Sequence, residues 1–531
     1  MMRLSKLSQA VALSAAALVL SACNNDSDNE SNVVRDVTPP LLTTDNNFTS
    51  GHTSVAAVFL VGDAKDDGGV KSVTYQINDG APKALNIDNN GHFAQTIALN
   101  RGENAIKLTA TDKVGNQLSL NKTIYLGDTI AAGNSHSGAI KDGKLFGWGR
   151  NNFGQTGIGI TSKPNDAAHP DTPKLVNNAP TDLVSLSFNQ NHSLAIDKNG
   201  QVYSWGEDKS GQLGRGNNGR DNCTTAKNDC RLSIAAIPNM TNAVTMAAGY
   251  RHNLVLDGDG NVWAFGAGSN GQLGNGQATD SSSPVQVDFS KAENVGRIIQ
   301  VAASANSSFA LDDKGQVWGW GSDAYANFGR GTPCNKATSC VDVQATPILL
   351  PVSNISAQDE KIIQLATGRD HVLALTNKNT VYGWGLNATS QVGYNGAGFK
   401  DTDKSWGSMV TTAKALPWFQ EKSVRRLFAN GNLSYALLND DKAYPWGMYG
   451  ETKNIDGKDK TVYDNLNEPE DRLQNMKAID NMAMGSLHQI AKEKDSSIFS
   501  WGWSFEGSLG KKDTLDTWMF NTPIVVDFPA N

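Results

Sequence analysis

His192-Ser193-Leu194-Ala195-Ile196-Asp197-Lys198-Asn199-Gly200-Gln201-Val202-Tyr203-Ser204-Trp205-Gly206, followed by Gly211-Gln212-Leu213-Gly214, decides the fold. Two short apolar runs flank an Asp-Lys-Asn-Gly turn, which is the chemistry of a β-hairpin. The second run ends in Trp-Gly and leads into a glycine-rich loop. An aromatic-Gly step recurs at Trp148, Trp205, Phe265, Trp320, Trp384, Trp446 and Trp501, with spacings of 57, 60, 55, 64, 62 and 55 residues. Seven copies at that period indicate a repeat architecture. One copy has no helical period and too little apolar surface to fold alone. Copies stacked radially bury one another, and a closed ring of four-stranded blades leaves only short sheet edges. The expectation is an all-β chain with a seven-bladed propeller over 128–531. Each Trp should fill the wedge between blades, with its Gly permitting a close approach or a sharp turn.

Composition bounds the rest. The chain has 531 residues, 39% hydrophobic and 19% charged, which excludes a disordered chain and a polytopic membrane protein. Lys and Arg number 46 against 53 Asp and Glu, a net charge of −7, so no basic face for nucleic acid is expected.

The run Ala247-Ala248-Gly249, His252-Asn253-Leu254-Val255-Leu256, Val262-Trp263 and Gly271-Gln272-Leu273-Gly274 resembles the regulator of chromosome condensation repeat family. The resemblance covers about three quarters of the chain and implies a seven-bladed propeller. Copy four carries Ala326-Asn327-Phe328-Gly329 and copy five Ser390-Gln391-Val392-Gly393, and copy six lacks the loop motif after Trp446-Gly447. The family's namesake is a nucleotide-exchange factor for a nuclear GTPase, which an exported chain would not meet, so no small GTPase is expected as partner.

Ahead of the repeats, residues 1–22 have a basic start at Arg3 and Lys6 and a short apolar run, the marks of a signal peptide. Leu20-Ser21-Ala22-Cys23 resembles the lipobox of bacterial lipoproteins, in which Cys23 becomes the lipidated first residue. Asn24 after it leans towards the outer membrane, and 23–36 is a polar tether. Attachment to the membrane is expected through lipid alone. Of the remaining cysteines, Cys223 with Cys230 and Cys334 with Cys340 form two close pairs, read as local disulfides of an oxidising compartment.

Residues 37–127 hold short alternating runs with Gly and Asn turns and are expected as a small antiparallel sandwich. Ala110-Thr111-Asp112-Lys113-Val114-Gly115-Asn116 resembles the last hairpin of bacterial immunoglobulin-like domains, which implies a spacer or adhesive unit. Asp63, Asp66, Asp67 and Asp112 are better read as turn residues than as a calcium cage.

Catalytic chemistry is not evident. The two G-x-G-x-x-G matches, Gly214–Gly219 and Gly266–Gly271, open no helix and carry no nucleotide site. His136, His192, His252, His371 and His488 share one repeat position, replaced by Ser307 and Ser434 in copies four and six. Equivalent atoms on neighbouring blades, at a radius of about 10 Å, sit roughly 9 Å apart, too far to share a metal. These rings are expected to fix the turn into the second strand. No metal or cofactor is expected.

Insertions concentrate after the Trp-Gly step, at 217–231, 331–345 and 394–417, and so fall on one propeller face. Tyr394, Phe399, Trp406, Trp518 and Phe520 are the aromatic candidates for binding there. The expectation is a lipid-anchored binding protein for an envelope protein or glycan. An enzyme inhibitor or a carbohydrate-active enzyme on the same propeller is the alternative.

Overall fold

The computed structural model describes residues 36–529 apart from 46–47, 164–165, 225–228, 332–342, 355–359, 394–408, 420, 456–457 and 513–518. Cys23, Cys334, Cys340, Tyr394, Phe399, Trp406 and Trp518 lie outside the described residues, as do the signal peptide and nearly all of the tether. Among the described residues no helix is long and apolar enough to cross a membrane.

Seven sheets of four antiparallel strands follow one another along the chain. Within each, consecutive strands are neighbours, here called a to d from the channel outward. In blade 2 they are Leu183–Asn189, His192–Asp197, Val202–Glu207 and Cys230–Ala236. The quoted hairpin is therefore strands b and c, with Ser193 opposite Trp205. The wedge aromatics Trp148, Trp205, Phe265, Trp320, Trp384, Trp446 and Trp501 are all at most 1% exposed. The Gly after each is in the left-handed region: Gly206 has φ +103°, and a Cβ there would lie 2.6 Å from Asn191 O. Close approach and sharp turn are thus both required of this position.

The ring closes without exchanging a strand. Blade 1 uses Ile130–Ala132, His136–Lys141, Lys144–Gly149 and Lys174–Leu175, and blade 7 uses Ile479–Met484, His488–Glu493, Ile498–Trp503 and Met519–Val525. Side chains join them instead. Trp148 Nε1 and Ser137 Oγ donate to Ser508 O at 3.0 and 3.1 Å, and His488 Nε2 lies 2.6 Å from Ser137 Oγ.

The N-terminal strands are β1 (Leu41–Thr44), β2 (Gly51–Thr53), β3 (Ala57–Lys65), β4 (Val70–Ile77), β5 (Lys83–Leu85), β6 (His92–Ala98), β7 (Gly102–Asp112) and β8 (Gln117–Leu126). They form a three-stranded sheet β1-β3-β6 and a five-stranded sheet β2-β8-β7-β4-β5. Strand β7 shows why: Ile106, Leu108 and Ala110 point into the core while Lys107 stays out. One pairing departs from the antiparallel expectation, since β2 runs parallel to β8. Asp112 does serve its turn, since its Oδ1 accepts N–H bonds from Val114, Gly115 and Asn116, and its carboxylate also lies within 4.8 Å of those of Asp36 and Asp66.

Rather than standing off as a spacer, the sandwich sits on the propeller face that carries the b–c turns. Residues 39–531 form one compact unit. The segment 51–57 crosses the end of the central channel. Ala56 N donates to Ile299 O at 2.7 Å, Thr245 Oγ1 to Ser54 O at 3.1 Å, and His52 Nε2 lies 3.2 Å from Asp480 Oδ2. At the edge, Arg101 donates to the carbonyls of Lys198 and Ala243. Lys361 Nζ lies 3.4 Å above the Phe59 ring and donates to Thr96 Oγ1 and Asp313 O. Burial lowers its pKa to about 8. Contacts this numerous, from five blades, leave that face covered.

Candidate functional site

The opposite face carries the a–b and c–d loops, and the blade boundaries beneath it share one device. A loop residue turns its backbone carbonyl towards the next blade: Gln in blades 1, 2, 3 and 5, Asn327 in blade 4 and Ser508 in blade 7. Gln272 O accepts from Trp320 Nε1 at 3.0 Å and from Ser308 Oγ at 2.8 Å. Gln155 O accepts from Trp205 Nε1 and Ser193 Oγ, both at 2.9 Å. The preceding blade's His then reaches the same Ser: His136 to Ser193, His252 to Ser308 and His371 to Ser434, at 3.0, 3.0 and 2.8 Å. In the second blade the partner is Asn253 Oδ1, 2.9 Å from His192 Nε2, which makes that nitrogen the donor.

The five rings are thus straps between blades, not props for a turn within one. Sequence spacing could not show this, since each bond joins residues in different repeats. All five rings are completely buried. Burial holds His252 and His371 down to about 3 and His488 to about 4. A neutral, buried imidazole whose Nε2 is held by the neighbouring blade is unsuited to acid–base work near pH 7.

Two features of this face stand out. The first is the c–d loop of blade 2. Cys223 and Cys230 form a disulfide, with Cα atoms 6.0 Å apart. Asp208 anchors the loop by accepting from Arg220 Nε at 3.1 Å and Arg231 Nε at 2.9 Å, while its other oxygen accepts from Leu213 N. Arg215 lies alongside, its pKa lowered to about 10 by burial and by Arg231. The sequence-predicted pair is bonded as expected, and the loop is pre-organised on the motif beneath it.

The second is a crevice between blades 6 and 7. Blade 6 lacks the loop motif and instead extends strands c and d into a long hairpin, Ala443–Ile455 with Lys458–Leu466. No loop Gln carbonyl is available to Trp501, whose Nε1 donates to Tyr435 Oη at 3.1 Å. Tyr435 occupies the b-strand position held by Leu194, Leu254, Phe309 and Leu373 in other blades. The missing loop leaves a cavity of about 60 Å³ lined by Met448, Tyr449, Gln489, Trp503, Met519 and Phe520. Phe520, one of the sequence-predicted aromatics, is half-buried there, opposite Gly502. Trp503 and Tyr449 were not anticipated. Their signal is the absent motif after Trp446-Gly447, which predicts an unfilled wedge.

Fold and boundaries together define a seven-bladed propeller held by repeat-to-repeat straps. The description "RCC1-like domain" matches residues 237–530, more than half of the chain, and "Regulator of chromosome condensation (RCC1) repeat" matches 142–196, 199–256 and 183–212. The chain belongs to this family, whose propeller is a protein-interaction scaffold. It is similar to the ultraviolet-B receptor UVR8 of Arabidopsis thaliana, 27% identical over 75% of this chain and 81% of that protein. It is also similar to the RCC2 homolog of Danio rerio, 28% identical over 70% of this chain and 60% of that protein. Among solved structures, yeast RCC1 (Prp20) bound to Kap60 superposes with a TM-score of 0.58 at 21% identity, covering 75% of this chain and 85% of that one. Human WBSCR16 gives 0.56 at 21%, covering 73% and 95%. These likenesses extend to the fold.

Proposed function

We propose that this protein is a lipid-anchored scaffold of the cell envelope that captures a protein partner on the loop face of its propeller. The observation that carries the reading is the asymmetry of the two faces. The sandwich occupies one of them through Ala56, Thr245 and Lys361. The other holds the disulfide-braced loop and the aromatic crevice between blades 6 and 7. Aromatic side chains around a small cavity on a rigid frame are typical anchors of a protein interface. A braced loop lowers the ordering cost of binding. Lipidation at Cys23 and an outer-membrane address rest on the sequence alone.

The test uses the full chain in its native host, with Trp503→Ala plus Phe520→Ala as the altered form and Cys23→Ala for the anchor. Crosslinked partners should be retained by the parent and lost from the crevice variant. The Cys23 variant should lose palmitate label and membrane fractionation. An unchanged crosslinking pattern in the crevice variant would move the interface elsewhere.

A further inference from the structure

The b strand of each blade places one residue opposite the wedge aromatic, and the blade boundaries are tied through it. Ser137, Ser193, Ser308 and Ser434 hold this position. Each meets a His Nε2 of the preceding blade and donates to the carbonyl of that blade's loop residue. In blade 7 the position belongs to Gln489, opposite Trp501. Blade 6 offers it neither partner, because Leu433 stands where the His would be and the loop motif is missing. The boundary of blades 4 and 5 also lacks a His strap, but there the position is Val372, which asks for no hydrogen bond.

The missing loop has a definite footprint. Over the Gly after the wedge aromatic, a Cβ would meet the Cα of the preceding blade's loop residue. That residue is Ser508 at Gly149, Gln155 at Gly206 and Gln391 at Gly447, at 3.1, 3.3 and 3.1 Å. At Gly502 the same point lies 3.4 Å from Gln489 Oε1 instead. Gln489 is only 6% exposed and lines the crevice cavity, and its amide makes no hydrogen bond among the described residues. Neither amide atom is sealed from solvent, so both open on the cavity. A side chain this deeply buried with its amide unpaired calls for a partner of matching chemistry.

The walls limit what can enter. None of the described residues that line the cavity is charged. Gln489 can give and accept a hydrogen bond, and Asn432, whose Oδ1 accepts from Gln391 Nε2 at 3.4 Å, adds an N–H donor. Met448, Met519 and Phe520 supply apolar contact beside them. The volume is about 60 Å³. At about 30 Å³ per water, that admits a group of about two or three heavy atoms, so a sugar ring is too large. A primary amide on a short aliphatic stem meets these demands. A carboxylate of the same shape would be desolvated with no cation to offset it.

We infer that the crevice between blades 6 and 7 is a glutamine-accepting slot: the partner presents a Gln on a turn, its side-chain amide pairs with Gln489, and an aliphatic neighbour covers Met519 and Phe520. The partner thereby supplies from another chain a residue like the one that Gln155, Gln272 and Gln391 supply from within at other boundaries. The inference rests on the reading of the crevice as a protein interface, and it adds the chemistry of the residue that enters.

The test uses the full chain and a capped peptide with the sequence of residues 269–274, Ser-Asn-Gly-Gln-Leu-Gly, followed by saturation-transfer NMR and indole fluorescence. Peptides carrying Gln272→Glu and Gln272→Ala are the comparators. Saturable binding of the Gln peptide is expected below about 10 mM, with both comparators weaker by about tenfold or more. Gln489→Leu should weaken binding of the Gln peptide about tenfold while leaving the melting temperature unchanged or raised, because it removes an amide that has no partner in the protein. The comparator peptides need no change in the protein, so they decide the matter even if Gln489→Leu is unstable. No saturable binding, equal binding of the Glu peptide, or undiminished binding by a folded Gln489→Leu would overturn the inference. Crosslinks lost from Trp503→Ala plus Phe520→Ala but kept by Gln489→Leu would overturn the glutamine slot alone and leave the interface reading standing.

Discussion

At the boundary of blades 3 and 4 the indole of Trp320 donates to a backbone carbonyl, whereas at the boundary of blades 6 and 7 the indole of Trp501 donates to a phenol. The first arrangement is generic. It needs the loop to put Gln272 O in place, and any side chain that keeps the loop would serve. The second is particular, for it depends on one hydroxyl of Tyr435, which no other blade has at that position. The first also has a His strap, His252 to Ser308, while blade 6 has Leu433 where the His would be; Ser434, expected at that position from the sequence, sits one residue on, where Ser193 and Ser308 do, and receives the strap from His371. Repetition therefore stores the boundary in the backbone, and its loss transfers the boundary to a side chain and opens a cavity.

Acid should break the comparison most strongly. The unfolded chain protonates its histidines near pH 6.5, whereas burial keeps His252 and His371 neutral down to about 3 and His488 to about 4. Stability is therefore full above pH 6.5 and is lost as pH falls from there towards 3. Each such ring contributes a slope of about 1.4 kcal/mol per pH unit. Urea unfolding at a series of pH values measures it. Five boundaries carry a His strap, and the boundaries of blades 4 with 5 and 6 with 7 do not. Hydrogen exchange at pH 5 should accordingly show the boundaries of blades 4 with 5 and 6 with 7 holding longest, and uniform loss would refute the assignment.

A smaller effect is expected from Tyr435→Phe. Trp501 Nε1 would be left buried without an acceptor, at a cost of about 1–3 kcal/mol in urea unfolding at neutral pH. The burial that raises the Tyr435 pKa far above the ordinary phenol value keeps the hydroxyl protonated throughout this range. Smallest of all should be Gln272→Ala. The carbonyl that serves Trp320 and Ser308 belongs to the backbone, and the side chain adds only an acceptor for Asn270 N at 2.8 Å. About 1 kcal/mol or less is expected. If Gln272→Ala cost more than Tyr435→Phe, the contrast between backbone and side-chain boundaries would fall.

Much of this molecule was legible from its residues, and the divide has a physical cause. Asp-Lys-Asn-Gly turns, alternating strands and the Trp-Gly step act over a few residues, so hairpins, blade number and the wedge aromatics followed from local pattern. The Cys223–Cys230 pair was legible for the same reason, being only seven residues apart. Phe520 was identified, but its companions Trp503 and Tyr449 were not, because a crevice is defined by what the neighbouring blade fails to supply. The histidines were assigned to their own repeats when they reach across to the next, and the sandwich was expected apart from the propeller it caps. Ser54 with Thr245, and Arg426 with Asp128, stand 191 and 298 residues apart. Contacts at that range come into being only when seven blades close into a ring, which brings seven equivalent positions to one axis and leaves each to be satisfied by whatever the other six present.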